Sequence, residues 1–279
     1  MNSENAILFP PPAVKHACGS SDELIKLENV SMKYNTPSGE IEALKSISFS
    51  VYKNEFVSIV GSSGCGKSTV LSIISGLLKP TDGRVLYNGA PLSGALSDVG
   101  YMLQHDQLFP WSTVEENVSL GLRVRHINTP ENRRKVRLML EDYGLAAFAS
   151  KYPRELSGGM RQRAALVRTL ALDPGLLLLD EPFSALDYQT RIRVSDDIAG
   201  IIRRRNKTAI LVTHDISEAI SLSDRIIVLS SRPASVCATV DIKLDGNSVP
   251  EKRRSPQFSE YFEIIWSHLS DSGKCKKKH

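Results

Sequence analysis

The sequence predicts an α/β fold built on a mostly parallel sheet, and three observations predict it. Four short segments, EFVSIV, LLLLD, AILVTHD and RIIVLS, are almost continuously apolar, as strands covered on both faces are. Segments with helical periodicity separate them, which is typical of parallel strands joined by crossover helices. The chain has 279 residues, 41% of them hydrophobic and 24% charged, which is enough to bury such a sheet in a globular domain.

An antiparallel β subdomain is expected at one edge of this core. Residues 24–34 and 41–51 alternate apolar and polar side chains, as half-buried strands do. The segment NTPSGE between them is expected to form the turn. The segment RVLYNGAPL adds a third strand that ends in a turn at Asn88 and Gly89, a pair that favours tight hairpins.

The remaining segments indicate a helical insert and two flanking regions. Strand patterns vanish between residues 111 and 172, where apolar residues recur at three- and four-residue spacing. We therefore expect one domain over residues 24–244, preceded by a flexible leader at 1–23. Residues 245–279 are expected to hold an amphipathic helix, FSEYFEIIWSHL, whose aromatics dock on the domain, and a basic tail. The tail is interpreted as solvated, with weak attraction to an anionic membrane as the alternative.

Composition excludes several classes of protein. No run approaches the roughly 18 to 20 apolar residues of a membrane span, and the N-terminal segment lacks the pattern of a secretion signal. The four cysteines, Cys18, Cys65, Cys237 and Cys275, show no paired spacing, so a reducing compartment is expected. A net charge of +4 spread along the chain does not argue for a nucleic-acid partner.

The segment GSSGCGKS is a phosphate-binding loop by its pattern and its context. Gly61, Gly66, Lys67 and Ser68 match G-x-x-x-x-G-K-[ST]. A buried strand precedes the loop, and Val70, Ile73, Ile74 and Leu77 mark the core face of a helix after it. The alternative is a glycine-rich turn without a ligand. The residues expected to contact the nucleotide here are Gly61, Ser62, Ser63, Gly64, Cys65, Gly66, Lys67, Ser68 and Thr69.

Each residue type in this loop has a chemical reason. Glycines let backbone N–H groups turn toward the phosphates, and the helix N-terminus adds its dipole. Lys67 is expected to reach the β- and γ-phosphate oxygens of ATP, and Ser68 to ligate Mg²⁺. Cys65 lies where a helix dipole lowers a thiol pKa. Alkylation of Cys65 is therefore expected to block nucleotide binding, and ATP to protect it.

Two carboxylates follow the buried strand in LLLLDEP. Asp180 lies at the carboxyl end of the strand, beside the phosphate loop, where it can hold Mg²⁺ through water. Glu181 follows at once and is the candidate general base for an attacking water. A capping role near the strand end is the alternative interpretation of Glu181.

The segment LSGGMRQRAALVRTLAL is a second candidate anion site. Its paired glycines leave backbone N–H groups uncovered where a helix begins. Ser157, Gly158 and Gly159 would face the anion. A single chain with one phosphate loop has no evident use for a second anion site.

Together these motifs resemble the nucleotide-binding subunit of an ABC transporter, over roughly residues 24–240. The resemblance implies that Tyr34 stacks on adenine, that Gln104 senses Mg²⁺ and the γ-phosphate, and that LSGGM is the signature motif. It also implies that SALD, residues 184–187, is the D-loop with Asp187 at the nucleotide, and that His214 is the switch histidine. Taken alone, Tyr34 would be a strand aromatic, Gln104 a surface glutamine and His214 a satisfied histidine. The implied catalytic residues are Glu181, His214, Gln104 and Lys67, and the implied Mg²⁺ ligands are Ser68, Gln104 and Asp180.

The resemblance also implies partners and a cellular location. Two copies would pair head to tail, so that the signature motif of each covers the ATP on the phosphate loop of the other. The homodimer would dock on integral membrane permease subunits at the cytoplasmic face of the membrane, and an extracytoplasmic solute-binding protein would deliver the solute. Phe109 and Trp111 would anchor a permease helix in a groove; packing in the core of the helical insert is the alternative.

The segments FPW and LSGGMRQR are typical of the branch that imports nitrate, sulfonates and taurine, and Met160 replaces the commoner glutamine. ATP hydrolysis coupled to uptake of such an anion is therefore expected, with small heterocycles as alternative cargo. The alternative class is a soluble ABC ATPase acting on nucleic acid or ribosomes. The short interval between Lys67 and Ser157 and the single phosphate loop disfavour that class.

Overall fold

A computed structural model describes residues 22–37, 39–184, 186–246 and 248–274. Most of the expected leader and the end of the basic tail, with Cys18 and Cys275, lie outside these residues. The main sheet has six strands in the order β10-β9-β3-β8-β7-β6. They are β3 (Phe56–Val60), β6 (Val99–Met102), β7 (Leu176–Asp180), β8 (Thr208–Thr213), β9 (Arg225–Leu229) and β10 (Val236–Asp241).

This sheet confirms the predicted fold class. Strand pairs β6·β7, β7·β8, β8·β3 and β3·β9 are parallel, and β10 pairs antiparallel with β9. The four apolar segments form β3, β7, β8 and β9. Strands β6 and β10 were not predicted, because β6 has only four residues and contains Gly100, and β10 is half-buried and mixes polar with apolar residues.

The antiparallel β subdomain is confirmed as a separate four-stranded sheet with the order β2-β1-β4-β5. Its strands are β1 (Glu23–Thr36), β2 (Gly39–Tyr52), β4 (Asp82–Tyr87) and β5 (Ala90–Pro91). The turn between β1 and β2 is shorter than expected, because Thr36 already pairs with Gly39, which has a φ of 121° that favours glycine. Asn88 and Gly89 both have positive φ in the β4–β5 hairpin, as a type I′ turn requires.

The helices are distributed over both faces of the main sheet. They are α1 (Lys67–Ile74), α2 (Val114–Val118), α3 (Leu120–Val124), α4 (Pro130–Asp142), α5 (Gly158–Leu170), α6 (Tyr188–Arg204), α7 (Ile216–Leu222), α8 (Val249–Arg254) and α9 (Pro256–Lys274). The expectation that Leu77 belongs to the core face of α1 is wrong. The helix ends at Ile74, Gly76 reverses the backbone with φ 75°, and Leu77 is 67% exposed.

The core divides into layers because successive residues of a strand point to opposite faces. Leu177, Leu179 and Leu211 face a cluster formed with helices α2 to α6. Leu176, Leu178 and Ile210 face a second cluster formed with α1 and the antiparallel sheet. Helices α1 and α5 therefore cover opposite faces of the main sheet. Among the described residues, no helix combines the length and the apolar composition of a bilayer span.

Helix α9 packs on α7 and β10 through part of its aromatic set. Ile265 is fully buried, and Phe258, Tyr261 and Phe262 are partly buried against that cluster. Trp266 does not dock as expected. It is 54% exposed and stacks on Phe262 at a ring distance of 6.3 Å.

Candidate active site

The phosphate loop joins β3 to α1 and is held closed by its own lysine. Lys67 Nζ donates to the carbonyl oxygens of Gly61, at 2.9 Å, and Ser62, at 3.0 Å. Gly64 and Gly66 have φ of 72° and 124°. A Cβ on Gly66 would lie 2.8 Å from Leu44 Cδ2, so a side chain there would be strained in two ways. The start of α1 has no side-chain cap, and the first N–H groups of a helix have no intrahelical partner, so they are available to an anion.

Ser68 and Asp180 meet at the carboxyl edge of the sheet. The Ser68 hydroxyl donates to Asp180 Oδ1 at 3.1 Å. Burial raises the pKa of the Asp180 carboxyl, and the hydrogen bond from Ser68 and the charge of Lys67 oppose that rise. A hydroxyl and a carboxylate are oxygen ligands of the kind that Mg²⁺ prefers, so this pair fits the ion.

Glu181 and His214 form the second contact at this edge. Glu181 Oε2 lies 3.0 Å from His214 Nδ1. An ionised carboxylate can only accept, so this contact places a proton on Nδ1 and leaves Nε2 available to solvent. Glu181 has φ 44°, a left-handed conformation that costs free energy in a non-glycine residue. Its peptide is held by Val212 O, 2.9 Å from its N–H, and by the Ser184 hydroxyl, 3.0 Å from its carbonyl oxygen.

Tyr34 and Gln104 are the two further residues expected at the nucleotide. The Tyr34 hydroxyl is 3.3 Å from Thr69 Oγ1, so the expected adenine-stacking residue lies beside the first turn of α1. Gln104 follows β6, and the β6–β7 register, in which Met102 pairs with Leu179, places it at the same sheet edge as Asp180. In the described part of the chain, Gln104 is exposed and makes no hydrogen bond with the Ser68–Asp180 pair.

The signature turn starts α5 and packs against α6. Ser157 is the N-cap of α5, is exposed, and accepts from Met160 N at 3.3 Å. A Cβ on Gly159 would lie 2.8 Å from Thr190 Cγ2, so this glycine permits the close approach of the two helices. Asp187 is the N-cap of α6, and the Thr190 N–H lowers its pKa. Because α5 and α1 cover opposite faces of the sheet, the chain does not bring its own signature turn to its own phosphate loop.

Cys65 does not have the environment expected for a reactive thiol. It is 1% exposed, and burial raises its pKa. The nearby charge of Lys67 lowers that pKa but does not outweigh burial. The expectation of a thiol activated by the helix dipole is therefore wrong, since desolvation disfavours the thiolate.

Two residues at the site were not predicted from the sequence. Arg232 Nη2 donates to Gly64 O at 2.8 Å. This contact joins distant segments of the chain, so no local sequence pattern predicts it. Burial raises the pKa of the Tyr101 hydroxyl, and the charge of Asp180 raises it further. Tyr101 lies on β6, so recognising that strand would have placed it next to Asp180.

An exposed aromatic pair lies just before α2 in the chain. Phe109 and Trp111 stack at a ring distance of 5.0 Å, and Trp111 is 72% exposed. Asn117 is fully buried below them, accepts from Phe109 N at 2.7 Å and donates to Phe109 O at 3.1 Å. The alternative that Trp111 packs in the core is therefore wrong.

The fold and this edge of the sheet define a P-loop ATPase, and comparison with known proteins places it in a family. The family model described as ABC transporter matches residues 44–184. An ABC transporter ATP-binding protein of Bacillus subtilis, YtlC, is 43% identical over 91% of this chain and 99% of its own. This chain therefore belongs to the ABC transporter family as an ATP-binding subunit, and it is an ATPase.

Other relatives carry more specific names. The nitrate import ATP-binding protein NrtD of Synechocystis is 41% identical over 83% of this chain and 89% of its own. The aliphatic sulfonates import ATP-binding protein SsuB of Bacillus cereus is 38% identical over 89% and 97%.

Solved structures share the fold. The dimeric ATP-binding cassette MJ0796, bound to ADP and Pi, has a TM-score of 0.69 at 35% identity, over 79% of this chain and 99% of that one. CbiO1 of Clostridium perfringens, part of the transporter complex cbiONQ, has a TM-score of 0.71 at 26% identity, over 91% and 98%.

Proposed function

We propose that this subunit energises import of a small anion, such as nitrate, a sulfonate or taurine, through a membrane permease. Two copies pair head to tail at the cytoplasmic face of the membrane, with Mg²⁺-ATP between the phosphate loop of one and the signature turn of the other. An extracytoplasmic binding protein delivers the solute. The names of NrtD and SsuB support the cargo class.

The head-to-tail dimer is supported by the separation of the two anion sites, the phosphate loop and the signature turn, within one chain. The phosphate loop packs on Leu44 and Leu229, on the α1 face of the sheet. Of the signature glycines, Gly159 packs on Thr190 and Val194 of α6, on the opposite face. Ser157 is exposed, so it is available to a second copy. A two-fold axis makes both composite sites at once.

The chemistry follows from the residues at the strand ends. Glu181 takes a proton from the attacking water while the water oxygen bonds to the γ-phosphorus and the bond to the bridging oxygen of ADP breaks, releasing ADP and phosphate. With protons on both ring nitrogens, His214 donates from Nε2 to the γ-phosphate and from Nδ1 to Glu181, which orients the ring. Lys67 stabilises the charge on the β- and γ-oxygens. Bound Mg²⁺, held by Ser68 and by Asp180 through water, would neutralise phosphate charge.

Docking on the permease is supported by Phe109 and Trp111. A stacked, exposed aromatic pair is a suitable anchor for a partner helix, and Asn117 holds its backbone in place. Substitution of Trp111 by alanine should release the subunit from its membrane permease, measured by copurification from membranes. Trp266→Ala is the matched control, because Trp266 is also exposed but lies on α9. Equal loss in both variants would contradict the docking surface.

The dimer is tested by crosslinking in a variant without native cysteines and with Glu181→Gln. One tagged copy carries Ser63→Cys and another carries Ser157→Cys. A short bifunctional thiol reagent should join the two copies when ATP is present and much less when it is absent. Leu77→Cys replaces Ser63→Cys as the control, since Leu77 is exposed beyond the far end of α1. A crosslinking yield that does not depend on ATP, or an equal yield with Leu77→Cys, would overturn the head-to-tail dimer.

A further inference from the structure

Glu218 is a buried acid to which the catalytic scheme above gives no role. It lies in the first turn of α7, and it is 5% exposed. Asp215, the N-cap of that helix, accepts from Glu218 N at 3.1 Å. A carboxyl group buried this deeply is destabilising unless its oxygens have partners, so its partners indicate its role.

The side chain of Thr213, the last residue of β8, lines the same small cavity as the Glu218 carboxyl group. Thr213 Oγ1 accepts from Asp215 N at 3.0 Å. The Thr213 hydroxyl keeps one proton to donate, and Thr213 lowers the pKa of the Glu218 carboxyl group that lines the same cavity. We call residues 213–215 the switch turn, and His214 is at its centre. The Glu218 carboxyl group therefore lies beside the side chain that holds this turn.

Glu218 also lines a small cavity together with the catalytic pair. A cavity of about 10 Å³ is lined by Glu218, Thr213, Glu181 and His214, and also by Arg191. Arg191 Nη1 lies 3.4 Å from Asp215 Oδ2, and Arg191 Nη2 donates to Leu186 O at 3.0 Å. The switch turn is thus tied to Glu218 from α7 and to Arg191 from α6.

Charged groups from three elements act on Glu218. Burial raises its pKa to about 7, and Asp215 adds to the rise. Arg191 on α6 and Arg253 on α8 lower that pKa, as does the hydrogen bond from Thr213. His214 and Glu181 line the same cavity. The carboxyl group therefore changes charge near neutral pH, within a cluster that also holds the catalytic pair.

We propose that Glu218 is a positioning residue for ATP hydrolysis: through the Thr213 hydroxyl it holds the switch turn in the geometry that brings the His214 imidazole to Glu181. The inference rests on the proposed roles of Glu181 and His214. A carboxylate is a stronger acceptor than a neutral carboxyl group, so the ionised form holds the turn best. The turnover number kcat should rise as the pH passes through about 7.

The test measures kcat and KM for ATP in the full chain from pH 6 to pH 8.5. Glu218→Ala and Thr213→Val should each lower kcat by about tenfold, the equivalent of one hydrogen bond, and change KM by less than about twofold. Glu218→Gln keeps an acceptor, so it should restore most of kcat at pH 8 but lose the rise near pH 7. Thr208→Val is the matched control: Thr208 is a buried threonine at the opposite end of β8, bonded to Asn54 N, and the variant should keep the kcat of the unmodified protein.

The outcomes separate this inference from the proposed function. If Glu181→Gln and His214→Ala both retain normal kcat, the proposed catalytic roles fail. If those two variants lose activity while Glu218→Ala and Thr213→Val keep normal kcat, or lose only affinity for ATP, the positioning role is overturned. If Glu218→Ala does not fold, the other two variants test the positioning role. A normal pH profile in Glu218→Gln, or a normal kcat in Thr213→Val, would overturn that role.

Discussion

Arg161 Nε lies 3.0 Å from Asp106 Oδ2, and this ion pair joins the signature helix to the segment that follows Gln104. Arg168, further along α5, donates to the carbonyl oxygens of Asp106, at 2.7 Å, and Gln107, at 2.6 Å. Helix α5 therefore holds Asp106 and Gln107 through two arginines. Movement of the signature turn must carry this segment with it, or these bonds must break.

Substitution of Asp106 by asparagine should change activity more than stability. The pair is partly exposed, and such pairs contribute about 0.2–1 kcal/mol to stability. We expect kcat for ATP to fall by about two- to tenfold, the usual range for residues that couple sites. Glu131→Gln, which removes an exposed pair with Lys135 on α4, is the control for steady-state hydrolysis. An equal fall in that control would remove Asp106 from the coupling role.

Glu181→Gln should separate ATP binding from hydrolysis. Glutamine keeps the shape of the side chain but cannot take a proton, so kcat should fall by about 10² to 10⁴, the typical contribution of a general base. Affinity for ATP should remain, and the ATP-bound form should elute as a dimer in size-exclusion chromatography. Normal turnover in this variant would exclude Glu181 as the base.

The Cys65 thiol should resist alkylation in the folded protein at pH 7.5. Burial raises its pKa and removes it from solvent, so little thiolate is accessible. The measurement uses a variant in which the other three cysteines are serine, with labelling followed by mass spectrometry in buffer and in urea. A variant that retains the exposed Cys237 should react rapidly under both conditions. Rapid labelling of Cys65 in buffer would contradict this prediction and support a thiol activated by the helix dipole.

The ionisation of Glu218 should make stability depend on pH. Its pKa rises from 4.5 to about 7 on folding, so between those values the folded chain keeps a proton that the unfolded chain releases. That contribution is present below pH 4.5 and is lost as the pH rises through about 7. Relative to Glu218→Gln, the free energy of unfolding should fall across this window by up to about 3 kcal/mol. Urea denaturation at pH 5 and pH 8 measures it, and a difference that is the same at both pH values would contradict the assignment.

Gly159→Ala should force α5 and α6 apart. The new Cβ would lie 2.8 Å from Thr190 Cγ2, and overpacking of this kind costs about 1–3 kcal/mol. Thr190→Ser removes that methyl group and should recover part of the loss in thermal denaturation. Gly200→Ala is the contrasting change, since its Cβ meets only the flexible end of Arg204 at 3.3 Å. An unchanged melting temperature in Gly159→Ala would show that the helices can separate at no cost.

Local patterns in the sequence determined the fold class and the positions of the main chemical groups. Strands β3, β7 and β8 are short apolar runs, and that pattern follows directly from burial on both faces. The phosphate loop and Asp180 were predicted because strand, loop and helix follow one another within a few residues. Chemistry that depends on neighbours along the chain can be inferred before any packing is known.

Tertiary structure alone decided the relationships between distant segments. Packing buried Cys65 and exposed Leu77 and Trp111, and parallel pairing of β7 with β8 brought Glu181 to His214. It also placed the signature helix and the phosphate loop on opposite faces of the sheet, and put Glu218 behind His214. These outcomes depend on which elements pack together. The burial of apolar surface supplies the free energy that drives this packing. Whether a residue is buried depends on contacts with residues far apart in the chain, and local periodicity does not encode those contacts.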